Sequence, residues 1–192
     1  MQSSEEIIVV SGLPRSGTSL MMQMLNKAGV ELVTDHQRTA DPDNPRGYFE
    51  YEAAKDIEHD TSWLPSARGK AIKLVSMLLY HLPATERYRV LFMERDLEEV
   101  LQSQETMLRR MNRQPAPTAE MLAAYRLHLE KLQEWLTSRP DISVLQVNYK
   151  HLIEQPETKA KHICEFLGRN LDLGAMSSSI DTELYRNRRQ PA

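Results

Sequence analysis

The sequence predicts an α/β fold in which a mainly parallel central sheet has helices on both faces, giving a three-layer sandwich. Short continuous apolar runs, typical of strands buried on both faces, alternate along the 192 residues with segments whose apolar residues recur at helical spacing. The first of these strands leads directly into a glycine-bearing loop and then into a helix. Because strands that alternate with helices build parallel sheets, we expect this fold class, and the chain length predicts one domain over residues 1–192.

Four apolar runs are the predicted strands. The first, residues 7–10 (IIVV), is short and continuous. Residues 71–75 (AIKLV) form a weaker candidate, and residues 88–93 (YRVLFM) and 142–147 (ISVLQV) complete the set. Runs of this kind indicate strands that are covered on both faces, as they are inside a parallel sheet.

The helices are predicted from apolar residues at helical spacing and from the residues at their ends. The first helix extends from the glycine-bearing loop to Gly29, which is a typical C-terminal stop. Asp96 is the predicted N-cap of the second helix, with Glu98 and Glu99 in its first turn, where the helix dipole favours negative charge. The remaining boundaries are Thr118 and Pro140 for a long third helix, and Pro156 and Gly168 for a fourth.

Composition and charge are those of an ordinary globular protein. The chain is 41% hydrophobic and has a net charge of −3, which argues against broad nucleic-acid binding. A single cysteine, Cys164, excludes an intramolecular disulfide and suits a reducing compartment. No basic leader precedes an apolar stretch at the N-terminus, and the longest apolar run, residues 74–82, is too short to cross a bilayer. We therefore expect a cytoplasmic protein with no membrane span.

The strongest functional signal is the loop between the first predicted strand and the first predicted helix, residues 12–19 (GLPRSGTS). Gly12 and Gly17 allow the backbone to turn tightly and to approach a ligand. The N–H groups at the start of the helix then point at an anion, and the helix dipole adds to the attraction. A plain tight turn is the alternative, but the strand, loop, hydroxyl pair and helix occur in the order that phosphate binding requires.

The loop departs from the nucleoside-triphosphatase pattern, in which a lysine follows the second glycine and a serine or threonine then holds magnesium. Thr18 stands at the lysine position, the cation is Arg15, and Asp96, the nearest candidate for a magnesium-holding aspartate, is interpreted as a helix cap. A kinase needs a metal to neutralise the γ-phosphoryl group. A sulfuryl group carries less negative charge, so one guanidinium and a ring of amides could suffice. The loop therefore predicts phosphate binding without a metal.

Three segments resemble the PAPS-dependent sulfotransferases, specifically bacterial members with an arginine-type loop. Residues 10–19 (VSGLPRSGTS) resemble their 5′-phosphosulfate loop, and residues 93–103 (MERDLEEVLQS) resemble their 3′-phosphate motif. Residues 147–152 (VNYKHL), followed by Pro156 and residues 166–168 (FLG), resemble a tyrosine-containing segment and helix late in that family. The segments span nearly the whole chain in the family's order.

The resemblance implies a P-loop fold that binds 3′-phosphoadenosine 5′-phosphosulfate (PAPS) and releases PAP. Arg15 would stabilise charge on the leaving phosphate oxygen. Arg95 follows a buried strand, where ligands of parallel sheets bind, and Ser103 lies two helical turns on; the alternative is a surface arginine paired with Glu98 or Glu99. Tyr149 is equally typical of a core residue, and Arg188 belongs to a basic tail whose alternative is a solvated end. The implied cofactor-binding residues are Gly12, Pro14, Arg15, Ser16, Gly17, Thr18, Ser19, Arg95, Ser103, Tyr149 and Arg188.

Transfer also needs a base that takes the proton of a hydroxyl or amine acceptor, which would be a small molecule or a peptide. The resemblance places this base after the first helix, so the candidates are Asp35, His36 and Glu50, in that order; for each, a solvated loop residue or a turn cap is the alternative. Residues that could line an acceptor pocket are Arg38, Arg46, Tyr48 and Trp63.

Two other functions stay open from the sequence. A P-loop small-molecule kinase would use the same loop, although the missing lysine and magnesium aspartate count against it. A non-catalytic nucleotide-binding protein would keep the fold without the chemistry. The first would depend on magnesium, and the second would bind PAP without turning over PAPS.

Overall fold

The computed structural model describes residues 5–35, 37, 41, 44, 47–116 and 118–180. Within these residues the centre is a four-stranded, wholly parallel sheet in the order β2-β1-β3-β4. Each strand coincides with a predicted apolar run, which confirms the predicted fold class. The strands are β1 (Ile7–Gly12), β2 (Ala71–Lys73), β3 (Tyr88–Glu94) and β4 (Ile142–Asn148).

The helices also follow the predicted boundaries. The Asp96 side chain accepts hydrogen bonds from the backbone amides of Glu98 and Glu99, and Gly168 ends its helix in the left-handed conformation, with φ of 62°. The α-helices are α1 (Thr18–Lys27), α2 (Leu97–Arg110), α3 (Thr118–Thr137), α4 (Tyr149–Glu154), α5 (Pro156–Leu167) and α6 (Leu173–Ser178), and the 3-10 helices are Glu52–Asp56, Leu64–Ala67 and Ser76–His81.

Two of these helices, α4 and α6, were not predicted. Each has six residues, which is under two turns, so neither sequence shows a helical repeat of apolar residues. Both begin with a side-chain cap: Asn148 accepts a hydrogen bond from the amide of His151, and Asp172 accepts one from the amide of Ala175. These short helices are therefore held by caps and by packing rather than by their own length.

The sheet separates two hydrophobic cores, because successive side chains of a strand point to opposite faces. Ile8 and Val10 belong to the first core, which contains buried residues of α1, α4, α5 and α6. Ile7 and Val9 belong to the second, which contains residues of α3 and of the 3-10 helices. All four side chains are at most 1% exposed, which explains why the β1 sequence has no polar alternation. The result is the three-layer arrangement that the sequence predicts.

The strand register brings the candidate residues to one edge of the sheet. Val10 pairs with Lys73 of β2, and Gly12 pairs with Met93 of β3. The carboxyl ends of three neighbouring strands therefore meet around the loop that follows Gly12, which is where parallel sheets bind ligands. Among the described residues, no helix is long and apolar enough to cross a membrane. One domain over residues 1–192 stays a prediction.

Candidate active site

The loop after β1 is compact because two glycines remove side chains that it could not contain. Gly12 has φ of 147° and Gly17 has φ of 105°, values that L residues rarely adopt. A Cβ atom on Gly12 would lie 2.4 Å from the Ser16 hydroxyl oxygen and 2.6 Å from the carbonyl oxygen of Met93. Glycine is therefore required where the loop passes over the end of β3.

The start of α1 presents its backbone amides without a protein cap. Gly17 is the N-cap residue of this ten-residue helix, and no side-chain cap hydrogen bond is present there among the described residues. The Ser16 hydroxyl beside it is buried and has no hydrogen-bond partner among the described residues. Uncapped amides at a helix N-terminus attract anions through hydrogen bonds and the helix dipole. The loop geometry therefore suits a phosphate, as predicted for Gly12, Pro14, Ser16, Gly17, Thr18 and Ser19.

Arg15 is held in a strained backbone conformation and points across the site. Its φ of 75° lies in the left-handed region, which costs a residue with a side chain about 1–3 kcal/mol. Its Nε–H donates a hydrogen bond to the Ser103 hydroxyl on α2 at 3.0 Å. The loop cation thus contacts a residue 88 positions later in the chain, and the two predicted phosphate motifs meet directly.

Arg95 lies at the same junction, where the described part of the chain includes contacts with Glu99, Arg15 and Tyr149. Its Nε–H donates to Glu99 at 3.0 Å, with both side chains less than a tenth exposed. Its Nη1 donates to the carbonyl oxygen of Arg15 at 3.2 Å, and its guanidinium lies 4.8 Å from the centre of the Tyr149 ring. The ion pair considered as the alternative is present, but it is buried beside the loop, where Glu99 orients the arginine.

Tyr149, which follows the last residue of β4, packs against the same junction of the loop and Arg95. It is the first residue of α4 and is only 6% exposed. A Cβ atom on Gly17 would lie 2.4 Å from the Cδ2 atom of Tyr149, so the ring occupies the space that the glycine leaves. Three predicted segments, the loop, the 3′-phosphate motif and the late tyrosine, therefore converge at one place.

Replacing Gly17 with alanine should destabilise the protein more than replacing Gly29 does. Both glycines have positive φ, 105° and 94°, so both substitutions carry backbone strain. Only at Gly17 does the new methyl group overlap another side chain, because nothing lies within 4 Å at Gly29. We expect an excess cost of roughly 1–3 kcal/mol for Gly17→Ala, measured by urea denaturation. Equal losses would contradict the close packing of Tyr149 on the loop.

Asp35 and Glu50, two of the candidate bases, differ in the groups that contact their carboxylates. Asp35 accepts backbone hydrogen bonds from Glu52 at 2.6 Å and from Gln37 at 3.0 Å. These bonds, the one from Glu52 first, lower the pKa of Asp35 from its ordinary value, so it is a weak proton acceptor near neutral pH. Glu50 instead faces two ammonium groups, Lys73 at 3.3 Å and Lys55 at 3.6 Å.

Lys73 is a site residue that the sequence did not indicate. Its side chain is only 7% exposed, and its ammonium group donates to the carbonyl oxygen of Tyr48 as well as pairing with Glu50. It ends β2, next to the last residues of β1. In the sequence it is the central residue of the predicted strand run 71–75, and a charged residue inside such an apolar run is the signal that could have identified it.

A chain of hydrogen bonds joins the Glu50–Lys73 pair to the start of α1. Asn44 donates through Nδ2 to the Ser19 hydroxyl at 2.8 Å, and its backbone amide donates to Asp41 at 2.9 Å. The Tyr48 hydroxyl donates to the other Asp41 oxygen at 2.7 Å. Because Lys73 bonds to the Tyr48 carbonyl, the lysine–Glu50 pair is tied to the first turn of α1.

Gln104, which the sequence also did not indicate, braces the loop from α2. Its Nε2 donates to the Pro14 carbonyl oxygen at 3.1 Å and contacts the Tyr125 hydroxyl of α3 at 2.8 Å. Gln104 follows Ser103 directly, so α2 contacts both the Arg15 side chain and the backbone of the loop. A polar residue next to a predicted phosphate-binding residue gives no distinct sequence signal, because exposed helix positions are usually polar.

Several residues that were singled out in the sequence are not part of the contacts described above. His36, Arg188, Arg38 and Arg46 lie outside the described residues. Trp63 is 7% exposed and packs in the second core, so it does not line an open acceptor pocket. Among the described residues, no three His, Cys, Asp or Glu side chains are close enough to hold a metal ion.

Comparisons with known proteins agree with this geometry. The profile of the sulfotransferase domain matches residues 5–190. A sulfotransferase from Mycobacterium tuberculosis is 16% identical with a TM-score of 0.60, over 91% of this chain and 71% of that one. One from Mycobacterium avium is 13% identical with a TM-score of 0.60, over 92% and 67%. A mouse sulfotransferase complexed with PAP is 16% identical with a TM-score of 0.53, over 92% and 62%.

At these identities the structures establish the shared fold, and the profile, which covers nearly the whole chain, establishes the family. No curated protein matches this sequence closely enough to count as a relative. The kinase alternative is not favoured by these findings. The chain therefore belongs to the sulfotransferase-domain family, which confirms the resemblance seen in its sequence and assigns it as a PAPS-dependent sulfotransferase.

Proposed function

We propose that the loop, residues 12–19, holds PAPS together with Arg95, Ser103 and Tyr149. We also propose that Arg15 acts on the phosphate oxygen from which the sulfuryl group is transferred. The observation that supports this most directly is the hydrogen bond between Arg15 and Ser103, beside the contact of Arg95 with the Arg15 carbonyl. These contacts unite a site for a 5′-phosphate with a site for a 3′-phosphate. A nucleotide with phosphates at both positions, as in the PAP that the mouse relative binds, fits such a pair of sites.

The residues present suit this nucleotide chemically. The uncapped start of α1 and the hydroxyls of Thr18 and Ser19 would bind the 5′-phosphate. Arg95 would hold the 3′-phosphate with Ser103, through charge-assisted hydrogen bonds. Tyr149 borders both groups of residues, because its ring contacts Arg95 and lies against Gly17.

The transfer forms a bond between the acceptor oxygen or nitrogen and sulfur, and it breaks the bond between sulfur and the 5′-phosphate oxygen. Arg15 donates hydrogen bonds to that leaving oxygen as its negative charge develops. Because the charge exists mainly in the transition state, the guanidinium accelerates transfer more than it strengthens binding. Ser103 holds the Nε side of Arg15, which limits the freedom of the arginine before transfer.

Glu50 is the base that the geometry supports best. Its carboxylate is tied through Lys73 and Tyr48 to the first turn of α1, beside the proposed 5′-phosphate site. Asp35, which the sequence ranks first, has both carboxylate oxygens occupied by backbone amides. His36 remains a candidate from the sequence. The acceptor itself is a hydroxyl or amine of a small molecule or peptide, and Glu50 would take its proton.

The experiment that tests the nucleotide assignment is a thermal-shift comparison of PAP, AMP, ADP and ATP in the presence of a chelator. PAP should stabilise the protein much more than AMP does, because only PAP engages Arg95 and Ser103. A ligand present at about 100 times its dissociation constant adds roughly 2.7 kcal/mol to stability, which is an easily measured shift. Equal shifts for PAP and AMP would remove the 3′-phosphate site, and a shift that requires magnesium would revive the kinase alternative.

Two isosteric substitutions separate the candidate bases. Glu50→Gln should lower single-turnover transfer by roughly 100-fold or more while PAP affinity stays unchanged, since it removes the proton acceptor. Asp35→Asn should leave the transfer rate nearly unchanged and lower stability instead. The pKa of Asp35 is lowered by folding, so its contribution is present at neutral pH and is lost as pH falls through the folded pKa, below the ordinary value of 3.8. Urea titrations at several pH values measure this second effect.

The opposite result, in which Asp35→Asn abolishes transfer and Glu50→Gln does not, would return Asp35 to the role of base. A protein that binds PAP but transfers no sulfuryl group to a broad panel of hydroxyl and amine acceptors would favour the non-catalytic alternative. We also propose a metal-independent reaction and a cytoplasmic location, the latter supported by the single cysteine of the chain.

A further inference from the structure

Asn44 contacts the start of α1 through a side-chain hydrogen bond, although it lies well outside the loop. Its Nδ2–H donates to the Ser19 hydroxyl oxygen at 2.8 Å, across 25 positions of the chain. Ser19 is the second residue of α1, whose start has no side-chain cap in the described part of the chain. A residue outside the loop therefore acts directly on a hydroxyl group that is proposed to bind the 5′-phosphate.

The backbone of Asn44 is held by hydrogen bonds on both sides, so its side chain extends from a fixed point. Its N–H group donates to the carbonyl oxygen of Asp41 at 3.0 Å and to a carboxylate oxygen of the same residue at 2.9 Å. Its carbonyl oxygen accepts from the Gly47 amide at 3.0 Å. The other Asp41 carboxylate oxygen accepts from the hydroxyl of Tyr48, a buried residue. Asp41 therefore anchors Asn44 to a buried side chain, and the Asn44 amide is presented to Ser19 from one direction.

The direction of this hydrogen bond decides what the Ser19 hydroxyl can do. The NH₂ group of an amide only donates, so the Ser19 oxygen is the acceptor and its single hydrogen is directed away from Asn44. An ionised phosphate oxygen only accepts hydrogen bonds, so a serine hydroxyl helps to bind phosphate when its hydrogen faces the phosphate. A hydroxyl group that is already oriented also loses less freedom when the phosphate binds, which strengthens binding.

We propose that Asn44 is a positioning residue for the 5′-phosphate, because it holds the Ser19 hydroxyl in the orientation that donates to the phosphate. The proposal rests on the proposed function, since it requires a 5′-phosphate at the start of α1. It makes the affinity for that phosphate depend on Asn44 and on the Asp41 and Tyr48 side chains that anchor it. By thermodynamic linkage, a bound 5′-phosphate strengthens the contact between Asn44 and Ser19 by the same factor.

Two nucleotides that each carry one phosphate test this role, adenosine 5′-phosphate (5′-AMP) and adenosine 3′-phosphate (3′-AMP). Asn44→Ala should weaken 5′-AMP about fivefold, as expected for one hydrogen bond, and should change 3′-AMP by less than about twofold. In a Ser19→Ala background, Asn44→Ala should have almost no further effect on 5′-AMP, because the serine transmits its effect. The matched control is Asn26→Ala, at an exposed position near the other end of α1, which should change neither affinity. Isothermal titration measures all of these affinities.

The contact itself is measured without any nucleotide, by NMR of the side-chain amide groups in ¹⁵N-labelled protein. Ser19→Ala should shift the Asn44 side-chain signals and leave those of Asn26 unchanged. Unmoved Asn44 signals, equal weakening of 5′-AMP and 3′-AMP in Asn44→Ala, or additive effects of the two substitutions on 5′-AMP would each overturn the role of Asn44. A native protein that binds neither nucleotide would overturn the proposed function, and the role of Asn44 with it, even where the NMR signals show the contact. The two proposals therefore fail in different ways.

Discussion

Arg95→Ala should weaken PAP binding roughly tenfold or more and leave AMP binding nearly unchanged. Charge-assisted hydrogen bonds of the kind proposed between Arg95 and the 3′-phosphate contribute about 1.5–3 kcal/mol, and AMP has no phosphate at that position. Isothermal titration with both nucleotides measures the difference. If the two nucleotides weaken alike, Arg95 acts on the shape of the loop, through its bond to the Arg15 carbonyl, rather than on the phosphate.

Because Glu99, the ion-pair partner of Arg95, is buried, the Arg95→Ala experiment needs a matched control. Removing the arginine alone takes away the 3.0 Å ion-pair partner of Glu99, a carboxylate with 6% of its side chain exposed, and this loss destabilises the fold by itself. The double variant Arg95→Ala/Glu99→Gln removes that charge, so stability should partly recover while the loss of PAP affinity persists. Arg109→Ala is the surface control, because this residue is 70% exposed and pairs with Glu105. It should change neither nucleotide affinity.

The fold could be predicted because its signals are local. The apolar run 7–10 of β1, the Asp96 cap and the glycine after α5 each depend on a few neighbouring residues. Their physical causes, burial on both faces and satisfaction of helix ends, do not require knowledge of distant contacts. The helices that the sequence missed, α4 and α6, are too short to show periodicity, and their caps alone do not distinguish a helix from a turn.

The site was predictable only in part, because its contacts join distant parts of the chain. Spacing suggests that Arg95 and Ser103 share a helix face, but it does not predict that Ser103 receives a hydrogen bond from Arg15. Lys73 was missed for the same reason: its partners, Tyr48 and Glu50, lie on a loop more than 20 residues earlier. Such pairings depend on the order of strands in the sheet.

The ranking of the bases shows the limit most clearly. Asp35 and Glu50 are both acidic residues in a polar region after the first helix, and their sequences give no reason to separate their environments. In the structure, Asp35 caps backbone amides on both sides of the loop, one of them on Glu52, whereas Glu50 faces Lys73 and Lys55. Both environments stabilise a charged carboxylate, so position is what separates the two residues. Glu50 is joined through Lys73 and Tyr48 to the first turn of α1, whereas both Asp35 oxygens are occupied by backbone amides.

Arg15→Ala should reduce the single-turnover rate of transfer by roughly a hundredfold or more while PAP still binds. The start of α1 and Arg95 remain in the variant, so the ground-state contacts of the product nucleotide persist. What is lost is the stabilisation of charge on the leaving oxygen, which appears in the rate rather than in the affinity. Arg15→Lys should retain part of the activity, since it keeps a positive charge but loses the planar donor geometry. PAP titration beside rapid-quench measurement of PAPS consumption gives both quantities once an acceptor is known.

Ser103 offers a sharper test of how Arg15 is positioned. If Ser103 acts on the rate through its 3.0 Å contact with the arginine, Ser103→Ala should slow transfer in the native protein and have little further effect on the rate in Arg15→Ala. Its separate contribution to holding the 3′-phosphate should appear as weaker PAP binding in both backgrounds. Additive effects on the rate would mean that the serine and the arginine act independently.

A normal transfer rate in Arg15→Ala would refute the mechanism, because the guanidinium is the group assigned to the leaving oxygen, and the loop would then serve binding alone.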